Sequence, residues 1–317
     1  MISFSRILIG VDLSHSDRLV SEELSDHCQQ AVTRGIEYAS AQGGEVTFFT
    51  TLEISEQARH LIDSHESKIT ESVEVEAARV LETLVQQAAS QGVKASFKVA
   101  FGTSWTELIR EAVVGKHTIV IVGRRGAHSQ SRFFYGKTAT KLIRKCPLPV
   151  LIAKPDPVRE IESILVADDL SEIGETILDA GVQLARMGEA GLHVVHVVED
   201  EGGSMHLFGG MTQEKVEQLK SELHDKADRE INDRLSRTDY RTLTRGTKVH
   251  IESGAPEEVI LDLLKSEGVD LMIIGSIGRS GLSAMVLGST AERLLSTADS
   301  SLLVIKPDDF VCPVKID

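Results

Sequence analysis

Leu271-Met272-Ile273-Ile274-Gly275-Ser276-Ile277-Gly278, followed after nine residues by Gly288-Ser289-Thr290, is the stretch that decides the fold. The apolar run Leu271 to Ile274 predicts a buried strand, and a Gly-x-x-Gly turn follows it directly. Glycines at a strand end let the backbone approach a ligand closely. Exposed N–H groups and the dipole of the next helix then favour an anion such as phosphate. An isolated Gly-x-x-Gly is more often plain turn punctuation. Here the spacing occurs twice.

The second occurrence is Gly123-Arg-Arg-Gly126, nine residues, and Gly136-Lys137-Thr138, behind the apolar run Ile119 to Val122. The offset, 275 − 123 = 152, also relates Phe101-Gly102 to Ser253-Gly254 and the run Pro149 to Pro155 to Ser301 to Pro307. Near the start of each half stands a strand and turn, Ile7 to Ser14 and Ile164 to Ser171, displaced by 157. These offsets predict a duplicated domain. At 317 residues the chain accommodates two domains, 1–155 and 156–309, with a tail 310–317.

Each copy alternates strand and helix. The predicted strands are Arg6 to Val11, Glu45 to Leu52, Lys94 to Ala100, Thr118 to Val122 and Pro149 to Ala153, then Ser163 to Ala167, Gly191 to Val198, Lys248 to Glu252, Leu271 to Ile274 and Leu302 to Ile305. Helical patterns fall between them, the longest being Glu56 to Gln91 and Gln213 to Arg237. Short apolar runs separated by amphipathic helices predict an α/β fold: two tandem copies of an open parallel five-stranded sheet with helices on both faces, Rossmann-like. A ligand then belongs outside the carboxyl ends of the strands, where strand order reverses.

No window approaches 18 uninterrupted apolar residues, and the opening strand does not read as a secretory signal, so the expectation is a soluble, cytoplasmic protein with no membrane role. Cys28, Cys146 and Cys312 are widely spaced without a CxxC, which supports neither a disulfide framework nor a structural zinc site. Net charge is −14, unevenly spread: residues 1–155 hold 18 Lys and Arg against 17 Asp and Glu, and residues 156–317 hold 16 against 31. The acidic half argues against nucleic-acid binding.

The paired loops and Asp-Leu-Ser turns resemble the universal stress proteins, and the chain is similar to a tandem two-domain member along almost its whole length. The resemblance implies an adenine nucleotide alpha hydrolase-like fold. It also implies ATP, with or without magnesium, held by the loop glycines and hydroxyls at the phosphates and ribose, and by an aspartate and apolar strand ends at the adenine. Carried over, it nominates Ala167, Asp169, Val197, Ile274, Gly275, Gly278, Gly288, Ser289 and Thr290. The weaker counterpart in the first domain is Asp12, Gly123, Gly126, Gly136 and Lys137. There Lys137 replaces Ser289, Thr51 replaces Val197, and Arg124, Arg125 and Arg132 crowd the loop; a lysine does not reproduce a short hydroxyl contact. The first copy also carries 157 − 146 = 11 extra residues within His15 to Gln30. The reading is a degenerate first site beside an intact second one.

The function this implies is a nucleotide-dependent stress-response module acting through an unidentified protein partner. A slow ATPase and a nucleotide-free interaction protein are the alternatives; Arg279 is the one arginine placed to assist hydrolysis, and no catalytic residue is nominated. Gly136-Lys137-Thr138 lacks the Walker glycine, since position 131 is Ser131. His193 and His196 are three apart and so face opposite sides of a strand, which disfavours metal ligation by that pair; Asp168 and Asp169 face opposite ways for the same reason. The run Gly202 to Gly210, read as a six-residue excess after the second strand, is compatible with a loop that folds over the ligand or docks a partner, and equally with a linker. The terminal strands Pro149 to Ala153 and Leu302 to Ile305 are expected to pair the two domains within the chain, leaving any homodimer to another surface.

Overall fold

Among the described residues ten segments form strands, and they fall into two compact units. The computed structural model describes residues 2–14, 20–21, 23–53, 67–124, 136–155, 160–199, 213–276 and 288–315. The N-terminal unit spans Ser3–Arg159 and takes in Phe310–Asp317; the C-terminal unit spans Glu160–Asp309 and takes in Met1–Ile2. Tail residues pack on the N-terminal unit: Arg110 Nε donates to the Lys315 carbonyl at 3.4 Å, and Cys312 Sγ to that of Lys145 at 3.7 Å.

In the N-terminal unit the order is β1 (Arg6–Gly10), α1 (Asp26–Gln42), β2 (Glu45–Leu52), α2 (Ser67–Ser90), β3 (Lys94–Phe101), α3 (Ser104–Val114), β4 (Ile119–Gly123), α4 (Lys137–Lys145) and β5 (Val150–Ala153). The sheet is parallel throughout, ordered β3-β2-β1-β4-β5. In the C-terminal unit follow β6 (Ser163–Ala167), α5 (Gly174–Met187), β7 (Gly191–Glu199), α6 (Gln213–Ser236), a single 3-10 turn Tyr240–Thr242, β8 (Thr247–Gly254), α7 (Pro256–Ser266), β9 (Leu271–Gly275), α8 (Ser289–Thr297) and β10 (Ser301–Ile305). Its parallel sheet is ordered β8-β7-β6-β9-β10, the same arrangement.

Burial explains which strands are central. Ile7 to Ile9 and Ile119 to Val122 are buried along the run, as are Ile164 to Val166 and Leu271 to Ile274, because helices cover both faces. β3, at the end of its sheet, alternates exposed and half-buried residues. The helices sit close to these strands. A Cβ on Gly35 would lie 2.2 Å from Ile9 Cδ1, and one on Gly181, 146 residues later, 2.4 Å from Val166 Cγ2. The same contact in both units is the duplication seen in packing.

The structure corrects one reading of length. The C-terminal excess does not lengthen the connection after its second strand; Gly202 to Gly210 lie outside the described residues. Between α2 and β3 there are three residues, 91–93, whereas 237–246 between α6 and β8 are ten and include the 3-10 turn. The extra residues lie after the long helix, whose C-terminus they cap: Thr238 N and Oγ1 both donate to the Leu235 carbonyl.

Candidate functional site

In the C-terminal unit the chain adds β7 and β8 to one side of β6, then crosses to add β9 and β10 on the other. Strand order therefore reverses between β6 and β9, and their ends are level, Ala167 standing opposite Ile274. This is the switch point at which parallel α/β sheets take ligands. Ala167 closes β6 half-buried, Ile274 is buried, and Gly275 closes β9 opposite Ile305. Val197 lies in β7 opposite Glu252, half-buried.

The turn after β6 is built by two aspartates with different tasks. Asp169 Oδ1 accepts from Ser171 N at 3.0 Å and from Ser171 Oγ, an aspartate turn that closes on its own backbone. Asp12 makes the same two bonds with Ser14 in the N-terminal unit. Leu170 between them takes the left-handed conformation, φ 62°. Asp168 points inward, as its alternation with Asp169 requires, and is 2 % exposed. Its carboxylate accepts from Leu170 N at 2.7 Å and from Arg234 Nη1 at 3.2 and 3.3 Å.

Arg234, on α6, holds the whole turn. It also donates to the Ser171 carbonyl at 3.0 Å, the Leu170 carbonyl at 2.8 Å and Glu230 at 3.1 Å. Gly174 makes room for it, since a Cβ there would lie 2.0 Å from Arg234 Nη1. His196 Nδ1 is 2.7 Å from the Asp168 carbonyl, which can only accept, so this nitrogen carries the proton. Burial pushes the Asp168 carboxyl up to about 6, outweighing Arg234 and the Leu170 N–H, which pull it down. Sequence reading did not find Arg234. The signal available was Asp168 itself, a carboxylate on a buried strand end where the other copy, 168 − 157 = 11, has Val11.

Beyond β9, Gly278 falls in residues 277–287, outside those described. Gly288 is the N-cap of α8 and donates to the Ser276 carbonyl at 3.1 Å. Ser289 and Thr290 begin the helix, and its N-cap, being glycine, brings no side chain over the first-turn N–H groups. Ser276 is fully buried, and among the described residues its Oγ has no hydrogen-bond partner. A buried hydroxyl left open beside a glycine-capped helix start is a group that a ligand acceptor would satisfy.

The N-terminal unit differs at the corresponding positions. Where Ser276 stands, it has Arg124, itself buried. Gly136 caps α4 as Gly288 caps α8, but exposed Lys137 occupies the first helical position; Gly126, Arg125 and Arg132 lie outside the described residues. The Gly123 backbone is pressed against α1, since a Cβ there would lie 2.1 Å from the His27 carbonyl oxygen. Asp12 N donates to Cys28 Sγ at 3.2 Å. These contacts come from the first turn of α1, reached through 15 residues, 11–25, against six, 168–173, in the other unit. The extra length thus delivers a helix end onto the β1 and β4 termini, with Thr51, half-buried in β2, at the place of Val197.

Residues 3–154 and 160–306 each match the model of the Universal stress protein family. Universal stress protein E of Salmonella typhi is 30% identical over 246 residues, 71% of this chain and 73% of that protein. Universal stress protein E of Photorhabdus laumondii is 24% identical over 329 residues, 99% of each. The crystal structure of a universal stress protein from Archaeoglobus fulgidus aligns with TM-score 0.64 and 21% identity, covering 95% of this chain and 98% of that one. A functionally unknown protein from Pseudomonas aeruginosa aligns with TM-score 0.67 and 20% identity over 96% and 94%. The structural likenesses concern the fold, and the two family matches extend it to kinship: the chain belongs to the universal stress protein family, as a tandem two-domain member.

Proposed function

We propose that the C-terminal unit binds an adenine nucleotide, ATP or a close relative, at the carboxyl ends of β6 and β9, and that the bound state sets how this stress-response protein engages a protein partner. One observation carries the reading: the Asp169 turn follows β6 and Gly275 ends β9, adjacent strands that finish level at the switch point, and Gly288, the N-cap of α8, is tied to the Ser276 carbonyl just beyond β9. Gly288 with Ser289 and Thr290 supplies N–H and hydroxyl groups suited to phosphate oxygens. Ala167, Val197 and Ile274 supply an apolar wall, and Asp169 a carboxylate suited to the donors of a purine or ribose. The buried Ser276 hydroxyl, without a hydrogen-bond partner among the described residues, supports the same reading. In the N-terminal unit the buried Arg124, the exposed Lys137 and the packed α1 end argue for weak or no binding.

Because nucleotide would bind the folded chain and not the unfolded one, it raises stability and biases whichever conformation holds it best. Nucleotide released from freshly purified, denatured protein tests this, together with a phosphate-release assay. Adenine nucleotide recovered without phosphate release supports the regulatory reading. Release that tracks protein concentration and stops in Gly288→Val would replace it with an ATPase. Absence of nucleotide, and of any ATP-induced stabilisation, would remove it.

A further inference from the structure

We propose that His193, His250 and Glu267 form a binding site for a zinc-class divalent cation on the C-terminal unit, separate from the nucleotide position. His193 is the third residue of β7, four before Val197, and so lies toward the opposite end of the strand from the candidate crevice. His250 is on β8, in register with Val195, which puts the two histidines on one face of the sheet. Glu267 is the C-cap of α7, and its carboxylate reaches His193. The elements are distant in sequence, and the fold brings three ligand-bearing atoms within 4.8 Å of one another.

The geometry suits a metal. His193 Nδ1 and His250 Nε2 face each other at 3.0 Å, with ring planes 13° apart, and His193 Nδ1 is 3.7 Å from Glu267 Oε2. Zinc–ligand bonds of about 2.0–2.1 Å at tetrahedral angles put neighbouring ligand atoms roughly 3.3 Å apart, between these two distances. Rotating each ring by roughly 35° aims both lone pairs at one point, with the fourth position left to water. Two imidazole nitrogens and a carboxylate oxygen are the donors that borderline cations take, and hard cations such as magnesium do not select them.

Both copies of the domain have this face, and only one has the ligands. The equivalent positions, at offsets 146, 152 and 152, hold Thr47, Lys98 and Gly115. Lys248 Nζ is the competitor, 2.9 Å from the same Glu267 oxygen, but it is largely exposed and free to swing into water. A cation here would tie β7, β8 and the end of α7 together.

The test uses the full chain, stripped with chelator and titrated with Zn2+, with Co2+ as the spectroscopic probe. The expected result is a single tight equivalent, a four-coordinate cobalt spectrum, and a metal-dependent rise in melting temperature. His250→Gln and Glu267→Gln, both at half-buried positions, should each weaken binding by about tenfold or more, and Lys248→Gln should tighten it. His193→Gln combined with His250→Gln should abolish the tight equivalent; circular dichroism checks that each variant is folded. No binding tighter than about 1 mM, or equal binding in folded His250→Gln and Glu267→Gln, would overturn the site and leave a histidine–histidine hydrogen bond in its place.

Discussion

Replacing Arg234 by Met removes the guanidinium that neutralises Asp168 and ties down the Leu170 and Ser171 carbonyls. The two carbonyls are half-buried and can find water, so the main loss is the counter-charge of a carboxylate that is 2 % exposed. Breaking one side of such a pair costs about 3–5 kcal/mol. For a unit of this size that corresponds to a fall in melting temperature of roughly 6–20 °C. The loss should shrink at pH 5, where Asp168 can take up a proton. Adding Asp168→Val to Arg234→Met should recover most of it, because the equivalent position in the other unit is buried Val11. The assay is urea and thermal unfolding by circular dichroism, with hydrogen exchange on β6 and β7 peptides to localise the effect. The lone tryptophan, Trp105 in α3, serves as an internal reporter of the N-terminal unit. If the single and double variants are equally destabilised at pH 7, the pair is not what holds the turn.

Three further outcomes follow from the same contacts. The Asp168 pKa is raised from 3.8 to about 6, so its folded form holds more protons than the unfolded chain between those values. Its stabilising contribution is full below about pH 4 and falls by roughly 3 kcal/mol as pH rises through 6, so the stability of wild type relative to Asp168→Asn, by urea unfolding, should drop from pH 4 to 7. Asp169→Ala should weaken ATP binding in competition assays while leaving tripolyphosphate binding nearly unchanged; equal losses would make the aspartate a support for the turn and not a ligand contact. Gly181→Ala drives a Cβ to 2.4 Å from Val166 Cγ2 and should cost about 1–3 kcal/mol in urea unfolding, relieved when Val166→Ala is added.

The sheet was legible because its central strands are continuous apolar runs and its turns carry glycine at repeated offsets. Helix α3 has such local marks as well, standing between Gly102 and Gly115. The Asp169 turn and the Gly288 cap were legible for the same local reason, since a turn and a helix start depend on neighbours a few residues away. What escaped notice depends on distance. Arg234 meets Asp168 across 66 residues, and on the polar helix α6 it reads as a routine i,i+4 partner of Glu230. His193 meets His250 across 57 residues, so testing it against His196 alone missed its partner. The extra residues of the C-terminal unit were placed too early because the glycine-rich run 202–210 looks like inserted chain, while 237–246 looks like the end of a helix.

Calorimetric titration of the full chain with ATP, in wild type, Gly288→Val and Gly136→Val, tests the central claim most directly. Gly288 has φ −57° and ψ 145°, values open to any residue, so valine there changes the cradle without straining the backbone. A single ATP per chain, weakened by about tenfold or more in Gly288→Val and unaffected in Gly136→Val, is the predicted result. Two equal ATP sites, or a single site lost in Gly136→Val and kept in Gly288→Val, would contradict it.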